Sequence, residues 1–340
     1  MKNWKKAGVT ALAGSLVALS AQAGEMSVTG SANITYSANT GAQDADRGAA
    51  TKAAGLGHVG SRWGMNRSLS ASGSGEMDNG WTVTVSQSLA NGGLTANSIT
   101  LDMGDAGTLN YETSTGARGI GKIADMLPTA DEDAGNALDA DGTGTGSGVS
   151  GKVSGGVIGF HYANTISDLI EIGIGYAPKG GKDVGAGGTS GHGGGMSTTS
   201  AFVKIDPIDG LEIGAGWGEA ANAASIEQAN DHSTYYASYV WGSVTIAAQQ
   251  SEIDYYNSAN DDESTAYGIL YAVNDEMSIS YQDRTNDQAA NTIDEEITGW
   301  SASYTMGSMT FKAHTNEGTG MDNTASKSVE RTEIGVTFAF

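Results

Sequence analysis

The chain has 340 residues, with 17 Lys and Arg against 39 Asp and Glu, a formal charge of −22 and no cysteine. That charge disfavours nucleic acid as a partner, and the absence of thiols excludes a disulfide framework, zinc–thiolate sites and a cysteine nucleophile. Gly is abundant at 51 residues, Pro is scarce at three and hydrophobic residues reach 39%, which suits short alternating strands better than a thick apolar core.

The chain opens on a secretory pattern. Lys2, Lys5 and Lys6 give a positive start, an apolar run follows from Ala7 to Leu19, and Ala21-Gln22-Ala23 is a small-residue cleavage site. Residues 1–23 are therefore expected to be a removable signal peptide and residues 24–340 a single mature domain. The apolar run is shorter than the roughly 20 residues a spanning helix needs. Removing three lysines from the 17 basic side chains leaves 14 against 39 acids, a net −25 on the mature chain.

From there the sequence alternates apolar and polar residues with period two. Residues 25–37 and 61–73 read as the first two strands, the second carrying Trp63, Met65 and Leu69 on one face. Asp78-Asn79-Gly80 turns the chain into Trp81, Val83, Val85 and Leu89; Ile99, Leu101 and Met103 follow, and Gly104-Asp105-Ala106-Gly107 leads to Leu109, Tyr111 and Thr113. Val157 to Tyr162 pairs with Ile170 to Tyr176, and Thr199 to Ile205 with Leu211 to Trp217 across Pro207-Ile208-Asp209-Gly210. Three further hairpins join Tyr235–Trp241 to Val244–Ala248, Tyr267–Val273 to Met277–Tyr281, and Trp300–Met306 to Met309–Ala313. The last strand is VERTEIGVTFAF, residues 329–340, in which Ile334, Val336, Phe338 and Phe340 share one parity.

The count is sixteen strands, seven short turns and eight longer loops, with long and short connections alternating. Tyr36, Trp63, Trp81, Tyr111, Tyr176, Trp217, Trp241, Tyr281 and Phe340 fall near strand ends, where an interfacial girdle would put them. A soluble sandwich or solenoid also alternates, but would gather its aromatics in a core. The pattern predicts an all-β, 16-stranded antiparallel transmembrane β-barrel, with short periplasmic turns and long extracellular loops, in a bacterial outer membrane.

The signal peptide, the strand count, the segment Ser61-Arg62-Trp63-Gly64-Met65, the turn after Met77-Asp78-Asn79-Gly80 and a closing strand ending in Phe340 together resemble the general porins of Gram-negative bacteria. The resemblance covers the whole mature chain. It implies a homotrimer and a third long loop folded inward to narrow each pore; by order and length that loop is about residues 114–156. The Pro-Glu-Phe-Gly-Gly type of segment common in enteric porins is missing, and IADMLPTADEDAG, residues 123–135, stands in its place.

A diffusion channel acts by size and field, since charges on a low-dielectric wall focus potential across a narrow aperture. The third loop offers Asp125, Asp131, Glu132, Asp133, Asp139 and Asp141, with Arg118 and Lys122 at its start. Parity places Arg62, Lys204, Arg284, Lys312 and Arg331 toward the lumen. The candidate constriction residues are Arg62, Arg118, Lys122, Asp125, Asp131, Glu132, Asp133, Lys312 and Arg331, with acid on the loop facing base on the wall in a transverse field. The acid excess predicts a preference for cations. The expected partners are small hydrophilic solutes and ions, outer-membrane lipid and lipopolysaccharide. A substrate-specific channel and a non-conducting adhesion or structural barrel share the same pattern.

Arg67 is the exception to the alternation, because it shares parity with Trp63, Met65 and Leu69. A cation on the lipid face costs roughly 2–4 kcal/mol at the bilayer midplane. Either a bulge shifts the register there or Arg67 faces another subunit.

Other motifs carry no chemistry. Gly116 with Gly121-Lys122, and Gly146 with Gly151-Lys152, have phosphate-loop spacing, but Ile123 and Val153 replace the Ser or Thr. Asp139-Ala140-Asp141-Gly142-Thr143-Gly144 opens like a calcium loop, yet Ser150 stands where the bidentate Glu belongs. His58, His161, His192, His232 and His314 lack metal spacing and a nucleophile elbow, and read as solvated or lumen-facing. The expectation is a non-enzyme with no cofactor and no metal site.

Overall fold

In the computed structural model, residues 26–41, 60–113, 118–135, 138, 153, 159–178, 197–221, 229–321, 325 and 328–340 are described. The expected signal peptide, Asp139, Asp141 and the calcium-like segment lie outside them. Sixteen antiparallel strands close into one barrel. They are β1 (Met26–Gly41), β2 (Gly60–Glu76), β3 (Thr82–Ala90), β4 (Gly93–Asp102), β5 (Thr108–Glu112), β6 (Gly159–Ile166), β7 (Ile170–Ala177), β8 (Thr198–Ile208), β9 (Leu211–Ala221), β10 (Ala229–Trp241), β11 (Val244–Asp254), β12 (Asp262–Ala272), β13 (Met277–Gln288), β14 (Glu295–Met306), β15 (Met309–Thr319) and β16 (Ser328–Ala339).

Closure is made by β1 against β16, in register from Ser31↔Ala339 to Gly41↔Val329. One residue further, Gly30 and Phe340 exchange both backbone hydrogen bonds, at 2.8 and 2.9 Å. A Cβ on Gly30 would lie 2.6 Å from the Phe340 ring, so the missing side chain lets the last aromatic lie over the seam. With no open seam, the strands satisfy one another's backbone groups, which a lipid environment demands.

The period-two pattern sorts the side chains as expected. Trp63, Trp217, Trp241, Tyr267, Ile269 and Trp300 are exposed on the outside, whereas Ser280, Gln282, Arg284 and Asn286 of β13 are buried on the inside. Outward rings pair across neighbouring strands: Tyr36 with Trp63 at 5.3 Å, Tyr111 with Phe160 at 4.9 Å and Tyr281 with Trp300 at 4.7 Å between centroids. An apolar belt of this extent, open on the outer surface, is a face built for lipid.

One connection differs from expectation. The link between β3 and β4 is a two-residue turn, Asn91-Gly92, with φ of +52° and +93°, the backbone a type I′ hairpin turn requires. The long-loop end of the barrel therefore carries one tight turn among its connections. A register shift between Ser88 and Leu89 blurs the alternation there, which is why residues 93–98 do not read as strand. The consequence is a stepped wall: β3 pairs with β2 up to Ser68 only, while β1 follows β2 as far as Gly60.

Arg67 stands at that step. The β1–β2 ladder runs unbroken from Asn39↔Gly60 to Met26↔Gly73, so no bulge in it turns Arg67 inward, and the residue is exposed. Both of its backbone groups are taken by Asn91: the Asn91 N–H donates to its carbonyl at 3.0 Å, and its own N–H donates to Asn91 Oδ1 at 3.1 Å.

Candidate functional site

The third connection at the long-loop end, between β5 and β6, enters the barrel and runs along the inner wall from β6 to β15. It begins with a 3-10 turn, Gly119–Ile123. The Gly119 N–H donates to His161 Nδ1 on β6 at 3.2 Å, and the Ile120 N–H to Ser200 Oγ on β8 at 3.3 Å. Gln249 on β11 holds the next segment twice, accepting from Met126 N at 2.7 Å and donating to Ile123 O at 2.8 Å. Ser280 on β13 accepts from Ala130 N at 2.9 Å, and Ser301 on β14 from Asp131 N at 3.1 Å. Gln282 accepts from Ala134 N at 2.7 Å and donates to Pro128 O at 3.2 Å. A loop inside a barrel cannot complete a ladder, so wall hydroxyls and amides satisfy its backbone instead.

Between these pins, inward glycines give the loop its seat. A Cβ on Gly175 would meet Gly119 N at 2.8 Å, on Gly216 the Ile120 and Ile123 side chains at 2.9 Å, on Gly268 Pro128 Cδ at 2.9 Å, on Gly299 Ala134 Cα at 2.9 Å, and on Gly318 Leu138 Cδ1 at 3.2 Å. The order along the loop matches the order of β7, β9, β12, β14 and β15 around the barrel. Into the same trench the loop presses Ile120 and Ile123, both 0% exposed, and Leu127. Ile123 packs with Phe202 and Tyr236, Leu127 with Ala247 and Ala266, and Leu138 with Ile297 and Val329. Much of the apolar core of this protein is thus the contact between one loop and half of its own wall. The glycine signal is in the sequence, at inward parity within strands such as Gly173-Ile174-Gly175 and Gly214-Ala215-Gly216, but composition alone does not separate a loop seat from weak strand formers.

The charges follow from that path. Asp125 pairs with Arg284 at 3.6 Å. Asp131 is gripped by Lys312 Nζ at 2.6 Å and His314 Nδ1 at 3.1 Å. His314 also faces Glu333, its Nε2 lying 3.7 Å from Oε2, and Glu333 accepts from Arg331 Nε at 2.6 Å. Burial alone would raise the Asp131 carboxyl, but the hydrogen bonds from His314 and Lys312, together with their charges, hold it below the ordinary carboxylate range. Loop acid and wall base therefore meet in contact on one side of the lumen, not across open water, because the loop lies against the very strands that carry the bases.

The other candidates take separate places. Asp133 Oδ1 is 3.4 Å from Gln282 Nε2, and its carbonyl accepts from Asn316 at 3.3 Å. Glu132 is exposed, as is Lys122 at the far, β7–β9 end of the loop. Arg118 is fully buried beside Glu112, 3.5 Å away, and bonds the Glu112 carbonyl at 3.2 Å; burial lowers its pKa against the pull of Glu112 and Tyr111. With no surface in the lumen, Arg118 anchors the root of the loop and lines no aperture. Arg62 stands in β2 opposite Ser37, and its side chain is outside the described residues. His314, Glu333, Gln249 and Gln282 are the site residues that charge and parity did not single out.

A polar cavity of about 240 Å³ opens beside this network, lined by Asp131, Glu132, Lys312, Arg331 and Glu333 and, where the wall passes from β16 to β1 and β2, by Thr337, Asn33, Thr35 and Asn66. The uncovered wall continues as cross-strand hydroxyl pairs, Ser31 with Ser68 and Ser70 with Ser88, each at 2.8 Å. Among the described residues the wall thus passes from charge beside the loop to neutral hydroxyls and amides on the adjoining β1, β2 and β3.

Comparison with known proteins agrees with this architecture. A family model described as Gram-negative porin matches residues 8–340. No curated protein sequence is matched. Among solved structures, an anion-selective porin from Comamonas acidovorans superposes with a TM-score of 0.62 at 15% identity, over 93% of this chain and 99% of the other. An outer-membrane expressed OmpT of Vibrio cholerae gives 0.60 at 11% identity over 93% and 97%, and a mutant of Rh. blastica porin gives 0.59 at 14% identity over 93% and 100%. The closed sixteen-stranded barrel, the inward loop and the match across nearly the whole length lead to one conclusion: the chain belongs to the Gram-negative porin family, channels of the bacterial outer membrane.

Proposed function

We propose that this porin passes small hydrophilic solutes and ions by passive diffusion, favours cations, and works as a homotrimer with its turn end in the periplasm and its long loops outside. The observation that carries the selectivity is the neutralisation of the wall bases. Arg284, Lys312 and Arg331 each lie within hydrogen-bond or ion-pair reach of a carboxylate, so their fields largely cancel at solute distance. Glu132 stands exposed at the cavity rim, and the described side chains that adjoin it on β1 and β2, Asn33, Thr35 and Asn66, are hydroxyls and amides. The barrel is shared with a structure described as an anion-selective porin at 15% identity, so the sign of the preference is argued from this chain's side chains alone.

Reversal potentials across a salt gradient test this reading. The expected sign is cation preference, reduced in Glu132→Gln, and clear anion selectivity of the native channel would overturn it. Saturable flux into liposomes would favour a substrate-specific channel instead.

The trimer rests on the step in the wall. Arg67, Gln87 and Asn97 are polar residues at outward register positions on β2, β3 and β4, and a second subunit would shield them from lipid. Arg67→Glu should lower the temperature at which the oligomer dissociates in detergent. An oligomer of unchanged heat resistance would place the interface elsewhere.

A further inference from the structure

Near the long-loop end of the inner wall, three adjacent strands bring oxygen atoms together. Asp262 begins β12, and Ser264 follows it on the same face. Ser264 stands opposite Asn286 on β13, which stands opposite Glu295 at the start of β14. All four are buried, at 8, 2, 1 and 7% exposure. Asn286 donates its Nδ2 to Glu295 Oε2 at 3.4 Å, which leaves its Oδ1 as a buried acceptor with no hydrogen-bond partner; Ser264 Oγ is in the same condition. Asp262 accepts from the Tyr255 hydroxyl at 3.2 Å, and Asp261 accepts the Tyr255 N–H at 2.8 Å.

A bare, buried acceptor oxygen beside the Glu295 carboxylate, with Asp262 two residues along from the equally bare Ser264 on the neighbouring strand, is costly unless a donor or a cation meets it. Arg284, the next inward residue along β13, directs its charge to Asp125. The donor set is carboxylate, amide carbonyl and hydroxyl, with neither sulfur nor imidazole, which matches hard cations and in particular the flexible all-oxygen coordination of Ca²⁺.

We infer that Asp262, Ser264, Asn286 and Glu295 form a binding site for a hard divalent cation, Ca²⁺, on the inner wall. The ion meets the bare oxygens and clamps the long-loop ends of β12, β13 and β14 to one another. It is not a pore charge, and it does not depend on the selectivity argued above.

The test is direct Ca²⁺ binding to the detergent-purified full chain by equilibrium dialysis, with Tb³⁺ luminescence excited through tyrosine as a second readout. Native protein should bind Ca²⁺ saturably and displace Tb³⁺ with it. Asn286→Leu and Ser264→Ala should each weaken binding about tenfold or more, and Tyr255→Phe should dim Tb³⁺ emission. Glu263→Gln, on the outer face of the same strand, should bind as the native chain does. Heat-modifiable electrophoretic mobility reports that each variant is folded, and Ser264→Ala removes only a hydroxyl. Absence of saturable binding, or binding untouched by both Asn286→Leu and Ser264→Ala, would overturn the site and leave water as the occupant.

Discussion

Gly299→Val should lower single-channel conductance while the barrel stays closed. A Cβ at this position would lie 2.9 Å from Ala134 Cα and 2.4 Å from Asn316 Oδ1, so the added bulk presses on loop backbone, which cannot rotate away as a side-chain tip can. Overpacking of this kind costs about 1–3 kcal/mol. The strand ladder around Gly299 is continuous on both sides, through Gln282 and Asn316, and is the stiffer partner. The loop therefore yields toward the lumen and narrows the passage. Gly73→Val is the control, because a Cβ there meets nothing within 4 Å, and it should conduct as the native channel does. Native conductance in Gly299→Val would mean that the glycine row is not what seats the loop.

The second large effect is expected at Asp131. Its carboxylate takes Lys312 and His314 together, with 5% of the side chain exposed, and bonds to charged groups are worth about 1.5–3 kcal/mol each. Asp131→Asn keeps the shape and loses the charge. At about 1.4 kcal/mol per tenfold, the fraction of time this end of the loop is detached should rise roughly ten- to a hundredfold for each such bond lost. The readout is current noise: brief closures or excursions at neutral pH that the native channel lacks. Selectivity should shift toward anions as well, since Lys312 then faces the lumen uncompensated.

The same contact gives a pH dependence of fixed sign. The Asp131 carboxyl is held below its ordinary range, so its contribution is complete above the unfolded value of about 3.9 and is lost as pH falls through the lower, folded value. The native channel should remain quiet well into mild acid and become noisy only below the usual carboxylate range. Noise that begins near neutrality would mean that another group controls the loop.

How far the sequence revealed this protein depends on the range of the interaction concerned. Strands and their faces were legible because period-two alternation is a local signal, and sixteen of them were countable from the terminal Phe340 backward. The β3–β4 turn was missed although Asn91-Gly92 is a strong hairpin pair, because Leu94, Ala96 and Ser98 carry too weak an alternation beside a bulge. The identity of the inward loop was legible from its order and length. Its contacts were not: Asp125 reaches Arg284, and Asp131 reaches Lys312, across more than a hundred residues, and which wall residue meets which loop residue is set by the stagger of a closed barrel. Gln249 and Gln282 were invisible because a neutral amide at an inward position looks like any wetted side chain. Arg118 looked like a pore charge and is a buried anchor, a distinction that only packing makes.

A porin built this way is a water-filled passage narrowed by one wall-seated loop. The decisive measurement is insertion of purified residues 24–340 into a planar bilayer, with conductance followed as nonelectrolytes of increasing size are added. Discrete, ohmic conductance steps that scale with bulk conductivity are expected, with a sharp size limit that shifts in Gly299→Val. A folded chain that inserts and gives no conductance would contradict the water-filled passage.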